Sequence, residues 1–552
     1  MLSRTLKFGF IFTGILLVLS ITYSSVLMIP YIYHDDAIFW FKTSNSPYHL
    51  YHAFNFFLGR FLGAFILSGF HNFVQTIADL NIIRFLSLIQ ISLCGTLCVW
   101  LLQRYLSSLF QSFLVTIIIF TLPPFQIFVS YAGIAYATTA IPLSGLACLA
   151  ASRISIETPY LKRVLNAFTI LSILLLILAL SIYQSAAMFY WAIVMLFFLS
   201  YSAENFQNLK QHAINFFGVG SVGIAIYFLI LKFSNFSNGQ FSNQFYAYDS
   251  GKYEKFFIDK LTWFTTTPLF NSLNLWNVFP NTLYAAVVVG FILLSYALWF
   301  LKITKKSTKS DQNAAYRHAI FFTVLFFSLL FLSFLPNLVS AQHAPYYRCC
   351  AGLTTLVAIA LLWGLNQWAT LFSSARKKII LTITLCVICT YAVVKTNQNL
   401  LNLRAIPSQI ELNYLESFFR QAKMGSYKQV HIIYKDPDDV KSRYDEFAHP
   451  TTYFLLDARG MINYFLTKWA SEDRLVILYI NWNYVSERVS LIDCVFMDPL
   501  NRSRFAYRMK FSHGEQSEKI DFEKPTLVID MTKLYEPSGS LAYLNLITSS
   551  KP

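Results

Sequence analysis

Charged residues are scarce in this chain, and acidic residues are scarcest in its first part. Only 13% of the 552 residues are charged, whereas 56% are hydrophobic. A soluble domain carries about twice that share of charge. Residues 1–403 hold just nine of the 28 acidic residues. The composition excludes an ordinary soluble protein over most of the length and predicts a polytopic membrane domain.

Signatures of several common sites are also missing. The eight cysteines are scattered, mostly within apolar segments, and show neither a disulfide framework nor the spacing of a structural zinc site. The tail after residue 403 contains no glycine-rich phosphate loop and no nucleophile elbow, and the chain shows no internal repeat. These absences leave a membrane protein whose chemistry must come from a few polar residues at the ends of apolar segments.

The excess of positive over negative charge is confined to the membrane part. The net charge of +15 falls entirely within residues 1–403, because residues 404–552 contain equal numbers of basic and acidic residues. A basic protein suggests nucleic acid as a partner, but basic loops on the cytoplasmic side of a membrane give the same balance. We therefore expect no nucleic acid partner, and we predict a transmembrane domain at 1–403 and a soluble domain at 404–552.

Eleven apolar stretches are long enough to cross a bilayer. The first follows Arg4 and Lys7 and is too long for a cleaved signal peptide, so it is expected to remain as a span. The predicted spans are 8–30, 82–102, 105–123, 131–152, 164–182, 185–203, 213–231, 281–301, 319–335, 351–372 and 379–394.

The basic residues between spans set the orientation. Lys302–Arg317 and Arg376–Lys378 are short basic segments, which places them and the N-terminus in the cytoplasm. The external side then receives 31–80, 121–131, 183–184, 232–280, 336–350 and the tail. Residues 61–78 could also span, but that choice would move the basic loops outside. We predict one or two amphipathic helices at 48–78, lying in the external interface.

The tail has the pattern of a small α/β domain. Residues 430–434, 475–480 and 527–530 are predicted as strands, and 453–469 as a helix. The acidic run 436–439 lacks the ligand spacing of a calcium loop and is interpreted as a surface turn.

The most informative motif is His34-Asp35-Asp36, directly after the first span. An acid at the edge of a bilayer is costly to desolvate and usually has a partner or a task. Transfer of a sugar to a hydroxyl needs a carboxylate that accepts a proton, and a second acid can orient the acceptor or hold a divalent ion. Asp35 and Asp36 are therefore the candidate catalytic residues. The alternative is a simple helix cap, for which one Asp would suffice.

Other polar residues on the external side are candidate substrate-binding groups. Arg60 and Arg348 could bind a phosphate, although arginines at the interface also extend towards lipid headgroups. Gln184, beside Tyr183, could bind a sugar hydroxyl or simply form a polar turn. The full candidate set is His34, Arg60, Tyr183, Gln184, His343 and Arg348.

Taken in order, these motifs resemble a known family. Tyr33-His34-Asp35-Asp36, Gly59-Arg60 and Leu180–Gln184, on many apolar segments with an external tail, resemble the family C (GT-C) glycosyltransferases. More narrowly, they are similar to the bacterial glucosyltransferase II family of O-antigen-modifying enzymes. The likeness covers roughly residues 1–400. It implies an all-α GT-C-like membrane domain, followed here by a small periplasmic α/β domain.

The resemblance also implies an activity and a location. It implies a multi-pass protein of the bacterial inner membrane that moves a hexose, with glucose expected, from a polyprenyl-phosphate-linked donor to a periplasmic glycan such as O-antigen. Metal use differs within family C. Mg²⁺ or Mn²⁺ therefore stays open as a cofactor, with Asp35 or Asp36 as its ligand if a divalent ion is used.

Two other functions are kept as alternatives. A polymerase or ligase of lipid-linked glycans usually relies on Arg or His in a large external loop, and residues 232–280 contain neither. A transporter or flippase of lipid-linked sugars would tend to show internal repeats and charges near the bilayer midplane, whereas these apolar stretches are almost uncharged. The tail could also serve as a glycan-binding module.

Overall fold

The computed structural model describes the membrane part almost continuously and the tail only in short pieces. The described residues are 4–33, 36, 58–71, 73–74, 76–106, 108–155, 166–199, 206–236, 253–306, 309–339, 346–421, 429–433, 477–481 and 526–530. His34, Asp35 and His343 therefore lie outside the described residues, as does the helix predicted at 453–469.

The membrane part is all-helical wherever it is described. Apolar stretches form helices because a chain in lipid must satisfy its backbone hydrogen bonds within itself. Its α-helices are α1 Arg4–Thr22, α2 Ser24–Met28, α3 Phe61–His71, α4 Leu80–Leu106, α5 Leu109–Phe120, α6 Pro123–Ser130, α7 Ala140–Ser152, α8 Ala167–Ile182, α9 Gln184–Ala187, α10 Phe189–Phe198, α11 Phe206–Phe236, α12 Tyr253–Thr266, α13 Pro268–Leu273, α14 Thr282–Lys306, α15 Lys309–Leu332, α16 Leu335–Val339, α17 Ala351–Ala369, α18 Ser374–Leu400 and α19 Ile406–Gln421.

Short helices of other types join some of these elements. Three 3₁₀-helices span Ile77–Asp79, Ala132–Thr139 and Tyr347–Cys349, and a π-helical turn spans Leu401–Ala405.

Each of the eleven predicted spans overlaps at least one of these helices, but not all of the helices are long. Among the described residues, seven helical segments are long and apolar enough to cross a membrane, and the bent pair α5 and α6 would make eight. The helices within the predicted spans 164–182, 185–203 and 319–335 belong to a shorter class of 10–17 residues. The apolar part of α3, Phe61–Phe70, is in the same class. A helix of that length spans less than the roughly 30 Å of a hydrocarbon core.

The residues that follow Pro123 form a helix where a loop was predicted. Residues 121–131 were expected to form an external loop, but most of them form α6, which follows α5 at a bend of 67°. The reason is that Pro123 and Pro124 occupy the first helical positions, where a backbone N–H is not needed. All of α6 is buried, as are residues 132–138 of the following 3₁₀-helix. This folded-back stretch, residues 123–139, is called here the broken segment.

A buried polar network fixes the bend. Thr121 accepts hydrogen bonds through its carbonyl from the Gln126 amide at 2.8 Å and the Thr396 hydroxyl at 2.8 Å. Its hydroxyl oxygen accepts one from Trp276 Nε1 at 3.1 Å. Asn399 donates to the Trp276 carbonyl at 3.1 Å. Because buried polar groups are costly when unsatisfied, this network holds α6 against α18.

The last membrane helix continues towards the tail. α18 passes through the π turn into α19 as one apolar helical run, Ser374–Ser417. The predicted boundary between 403 and 404 falls within this turn, which packs against α2. Leu412 and Leu415 on α19 are also buried.

Three short strands are described in the tail. They are β1 Gln429–Ile433, β2 Ile477–Asn481 and β3 Thr526–Asp530. They form a parallel sheet in the order β2-β1-β3, with His431 beside Tyr479 on one side and Val528 on the other. Each strand overlaps one of the three segments predicted as strands.

Candidate functional site

Asp36 is fully buried and lies shortly after α2. Ile29, which ends α2, is extended, as expected for a residue before proline, and residues 30–33 follow without regular secondary structure. The Asp36 carboxylate accepts backbone N–H bonds from Tyr33 at 3.1 Å and from Gly133 of the broken segment at 2.6 Å. Both carboxylate oxygens are therefore engaged by protein.

Arg84 supplies the countercharge to this acid. Its Nη2 lies 3.4 Å from Asp36 Oδ2, and both side chains are fully buried. The same guanidinium donates to the carbonyl of Tyr31 at 2.9 Å and to that of Ser130 at 3.2 Å. It also lies over the Tyr31 ring at 3.7 Å. Such complete engagement is what allows a buried ion pair to persist.

Burial and charge act on Asp36 in opposite directions. Burial raises the pKa of Asp36 from 3.8 to about 6, and the Arg84 charge and the two backbone N–H bonds oppose that rise. At neutral pH the carboxylate therefore stays ionised.

Arg404 is distant from Asp36 in sequence but lies near it in the fold. It lies in the π turn, is fully buried, and places its guanidinium carbon 3.5 Å from the centroid of the Tyr33 ring. Its charge acts on both Asp36 and Tyr31. Two buried arginines thus flank the Tyr33–Asp36 turn.

Sequence reasoning did not select Arg84 or Arg404. One signal for Arg84 was present: it is a basic residue at the external end of a predicted span, against the usual charge distribution. Arg404 carried no such signal, because its contact with Tyr33 joins distant parts of the chain.

A second cluster forms where α3 begins. Arg60 donates through Nε to the Gln184 side-chain oxygen at 3.4 Å and lies over the Tyr183 ring at 4.3 Å. The Gln184 amide donates to the carbonyl of Leu58 at 2.7 Å and to the Tyr227 hydroxyl at 2.5 Å. The three predicted residues Arg60, Tyr183 and Gln184 therefore meet directly.

Gly59 permits this arrangement. Its φ of +77° lies in the left-handed region, which glycine adopts without strain. A Cβ at this position would lie 2.6 Å from the Tyr227 hydroxyl and would collide with Leu231. The turn at Gly59 thus lets the chain pass close to α11 and aims Arg60 at Tyr183.

Arg348 lies on the 3₁₀-helix before α17, which packs against α9, and its guanidinium carbon is 4.5 Å from the centroid of the Tyr346 ring. The charges of Arg348 and Arg60 both act on the Tyr183 phenol. Tyr183 is buried, whereas both arginines and Gln184 keep partly exposed surfaces. Arg60 thus lies over Tyr183, and Arg348 lies on a neighbouring element from which its charge acts on the same ring, with part of each arginine accessible.

The broken segment connects the two clusters. Phe128 and Tyr136 pack edge-on against Tyr183, with ring centroids 6.0 and 6.3 Å away. Between them in sequence, Gly133 holds Asp36. The broken segment thus contacts both sites: it binds Asp36 through Gly133, and it packs through Phe128 and Tyr136 against Tyr183. Arg60, Tyr183, Gln184 and Arg348 are called here the cationic cluster.

Asp35 and Asp36 are the predicted ligands if a divalent ion is used. Among the described residues, no group of three His, Cys, Asp or Glu side chains could hold a metal ion. Asp36, with its oxygens engaged by Arg84 and two backbone N–H groups, is poorly placed as a ligand.

The family model described as glucosyl transferase GtrII matches residues 24–363. This span contains α2 to α16 and most of α17, and with them Asp36, Arg60, Arg84, Tyr183 and Arg348. No curated protein and no solved structure matches the chain.

Proposed function

Because this chain belongs to the glucosyl transferase GtrII family, we propose that it transfers a hexose, with glucose expected, from a polyprenyl-phosphate-linked donor to a glycan hydroxyl. The observation that carries this proposal is that Arg60 lies over the Tyr183 ring, while Arg348 is carried by a 3₁₀-helix that packs against α9, so that its charge acts on the same ring. A sugar leaving a lipid phosphate creates negative charge on that phosphate. Two preorganised guanidinium groups stabilise such charge as it develops.

The proposed base is Asp35. Asp36 is fully buried, and Arg84, Tyr33 and Gly133 engage its carboxylate, so an acceptor hydroxyl cannot reach it in this arrangement. Asp35 adjoins it in the chain and needs only to accept one proton as the new bond forms. We assign Asp36 the task of anchoring the turn that presents Asp35. If a divalent ion takes part, Asp35 is its proposed ligand.

The remaining candidates bind sugar and acceptor in this proposal. Gln184 is partly exposed and already oriented by Leu58 and Tyr227, so its side-chain oxygen is positioned for a sugar hydroxyl. Tyr183, which is buried, supports the Arg60 guanidinium through its ring. His34 and His343, which lie outside the described residues, complete the proposed set as acceptor-binding groups.

The proposed location is the bacterial inner membrane, with the site on the periplasmic side. The basic segments 302–317 and 376–378 support a cytoplasmic position for the opposite ends of the helices. Eleven crossings and a periplasmic α/β domain at 404–552 belong to this proposal. The acceptor is then a periplasmic glycan such as O-antigen or another envelope glycan.

The test uses purified protein in liposomes with radiolabelled polyprenyl-phosphate glucose and isolated envelope glycan. The proposal expects label in the glycan and an equal amount of free polyprenyl phosphate. A transporter would release no polyprenyl phosphate, and a polymerase or ligase would transfer the oligosaccharide of a lipid-linked glycan instead. Either result would refute the assignment.

A further inference from the structure

We propose that Arg84 and Arg404 are positioning residues, which together hold the Tyr33–Asp36 turn in its active conformation. This inference rests on the proposed function, since it assigns the turn to catalysis. Neither arginine is given a contact with substrate, because both are fully buried. They act through Asp36, Tyr31 and Tyr33.

The first argument is that the Arg84 and Arg404 side chains make different kinds of contact. Arg84 binds the Asp36 carboxylate of the turn and the carbonyl of Tyr31, which precedes the turn. Arg404 covers the Tyr33 ring. A guanidinium is suited to both tasks, because it is planar, permanently charged and able to stack on aromatic rings. Lysine can supply the charge but neither the fork of donors nor the stacking surface.

The second argument is that each arginine is itself fixed by other elements. Arg84 also bonds the Asn81 side chain at 2.9 Å and the Ser130 carbonyl, so it ties the turn to α4 and to the broken segment. Arg404 is carried by the π turn, which packs against α2. A π turn widens the helix locally and is often found at functional sites. Here it lies between the last membrane helix and the helix that leads to the tail.

The third argument is the Tyr31 hydroxyl, which donates to the Ser130 carbonyl at 2.6 Å. Ser130 thus receives a hydrogen bond from Tyr31 and another from Arg84. Tyr33 packs edge-on to Tyr131, with centroids 5.6 Å apart. Every side chain of the turn that the structure describes is thereby fastened to the broken segment, whose Phe128 and Tyr136 contact Tyr183. Displacement of the turn would therefore change its position relative to the cationic cluster.

The experiment compares Arg84→Gln, Arg84→Lys, Arg404→Gln and Arg404→Lys in liposomes. Arg104→Gln is the matched control, because Arg104 stacks on Trp100 at 3.9 Å and lies on the same helix as Arg84, near its opposite end. We expect both Gln variants to lower kcat by about 100-fold, with donor KM within about threefold of wild type. Arg84→Lys and Arg404→Lys should each recover only a small part of the loss, because lysine keeps the charge but supplies neither the fork of donors nor the stacking surface.

A second readout does not depend on activity. A hydrophobic carbodiimide modifies accessible carboxylic acids, and mass spectrometry of the peptide containing Asp36 reports the extent. Wild type and Arg104→Gln should resist labelling at Asp36, whereas Arg84→Gln and Arg404→Gln should be labelled several-fold faster. Native kcat in Arg404→Gln, or equal labelling in all variants, would overturn the inference. If wild type transfers no sugar, the proposed function fails, while the labelling comparison still tests the positioning role.

Discussion

The Arg84 guanidinium lies 3.4 Å from the Asp36 carboxylate, and neither side chain reaches solvent. An acid that looked in sequence like a catalytic residue is thus held by an arginine 48 positions away. Removal of one partner leaves an uncompensated charge in the protein interior, which is far more costly than removal of both.

That asymmetry gives a stability prediction. Arg84→Met should destabilise the protein by about 3–5 kcal/mol, because Asp36 loses its countercharge. The double variant Arg84→Met with Asp36→Leu should recover most of that loss. Thermal unfolding in detergent measures both. If the double variant is no more stable than Arg84→Met, the pair does not account for the effect.

The two neighbouring acids should behave differently when each is neutralised. Asp35→Asn is expected to lower kcat by about 10²–10⁴-fold, the usual contribution of a general base, with an unchanged melting temperature. Asp36→Asn should lower the melting temperature as well, because its amide nitrogen replaces a carboxylate oxygen that accepts a backbone N–H bond from Tyr33 or Gly133. Sugar transfer and thermal unfolding are measured on the same preparations. Full activity in Asp35→Asn would exclude it as the base.

The raised pKa of Asp36 predicts a pH dependence of stability. Burial raises this pKa to about 6 in the folded protein, against 3.8 for the unfolded group. The folded state therefore binds more protons between these values, so the contribution of Asp36 is largest below pH 3.8 and is lost as the pH rises through 6. Wild type should gain stability relative to Asp36→Asn when the pH falls from 7 to 5. Parallel melting curves for the two proteins over this range would contradict the assignment.

The cationic cluster predicts coupled losses. Arg60→Ala and Arg348→Ala should each reduce kcat by about 10²-fold, because each removes charge stabilisation from the leaving phosphate. The double variant should lose less than the product of the two, since both groups act on one phosphate. Arg317→Ala, at an exposed position on α15, is the control and should retain full activity. Independent, multiplicative effects would place the two arginines at separate sites.

The turn at Gly59 predicts a local structural defect. Gly59→Ala combines a positive φ with a collision against Leu231 and Tyr227, so it should destabilise the protein by about 1–3 kcal/mol. Sugar transfer should fall with it, as Arg60 is displaced from Tyr183. Gly69→Ala on α3 is the matched control, because a Cβ there has no neighbour within 4 Å and alanine favours the helix. Equal stability of the two variants would contradict this account.

Much of the fold was predictable, because each helix reflects a local property of the chain. Apolar runs near 82–102 and 351–372 predicted α4 and α17, and the β-branched runs in the tail predicted the three strands. The stretch at Pro123 was wrongly predicted as a loop, because proline can begin a helix as well as end one. The polar network around Thr121 stabilises that helix through Trp276 and Thr396, and no local pattern reveals these contacts.

The candidate site was likewise predictable in part from the sequence. The sequence by itself determined that Arg60, Tyr183, Gln184 and Arg348 stand at the ends of apolar segments, since charges are costly within a bilayer and collect at its edges. Only the tertiary structure decided that these residues share one cluster. Only the tertiary structure also decided that Asp36 is buried beside Arg84 and Arg404. The physical reason is that burial and ion pairing depend on which helices pack together, and the order of residues along one helix does not specify its neighbours.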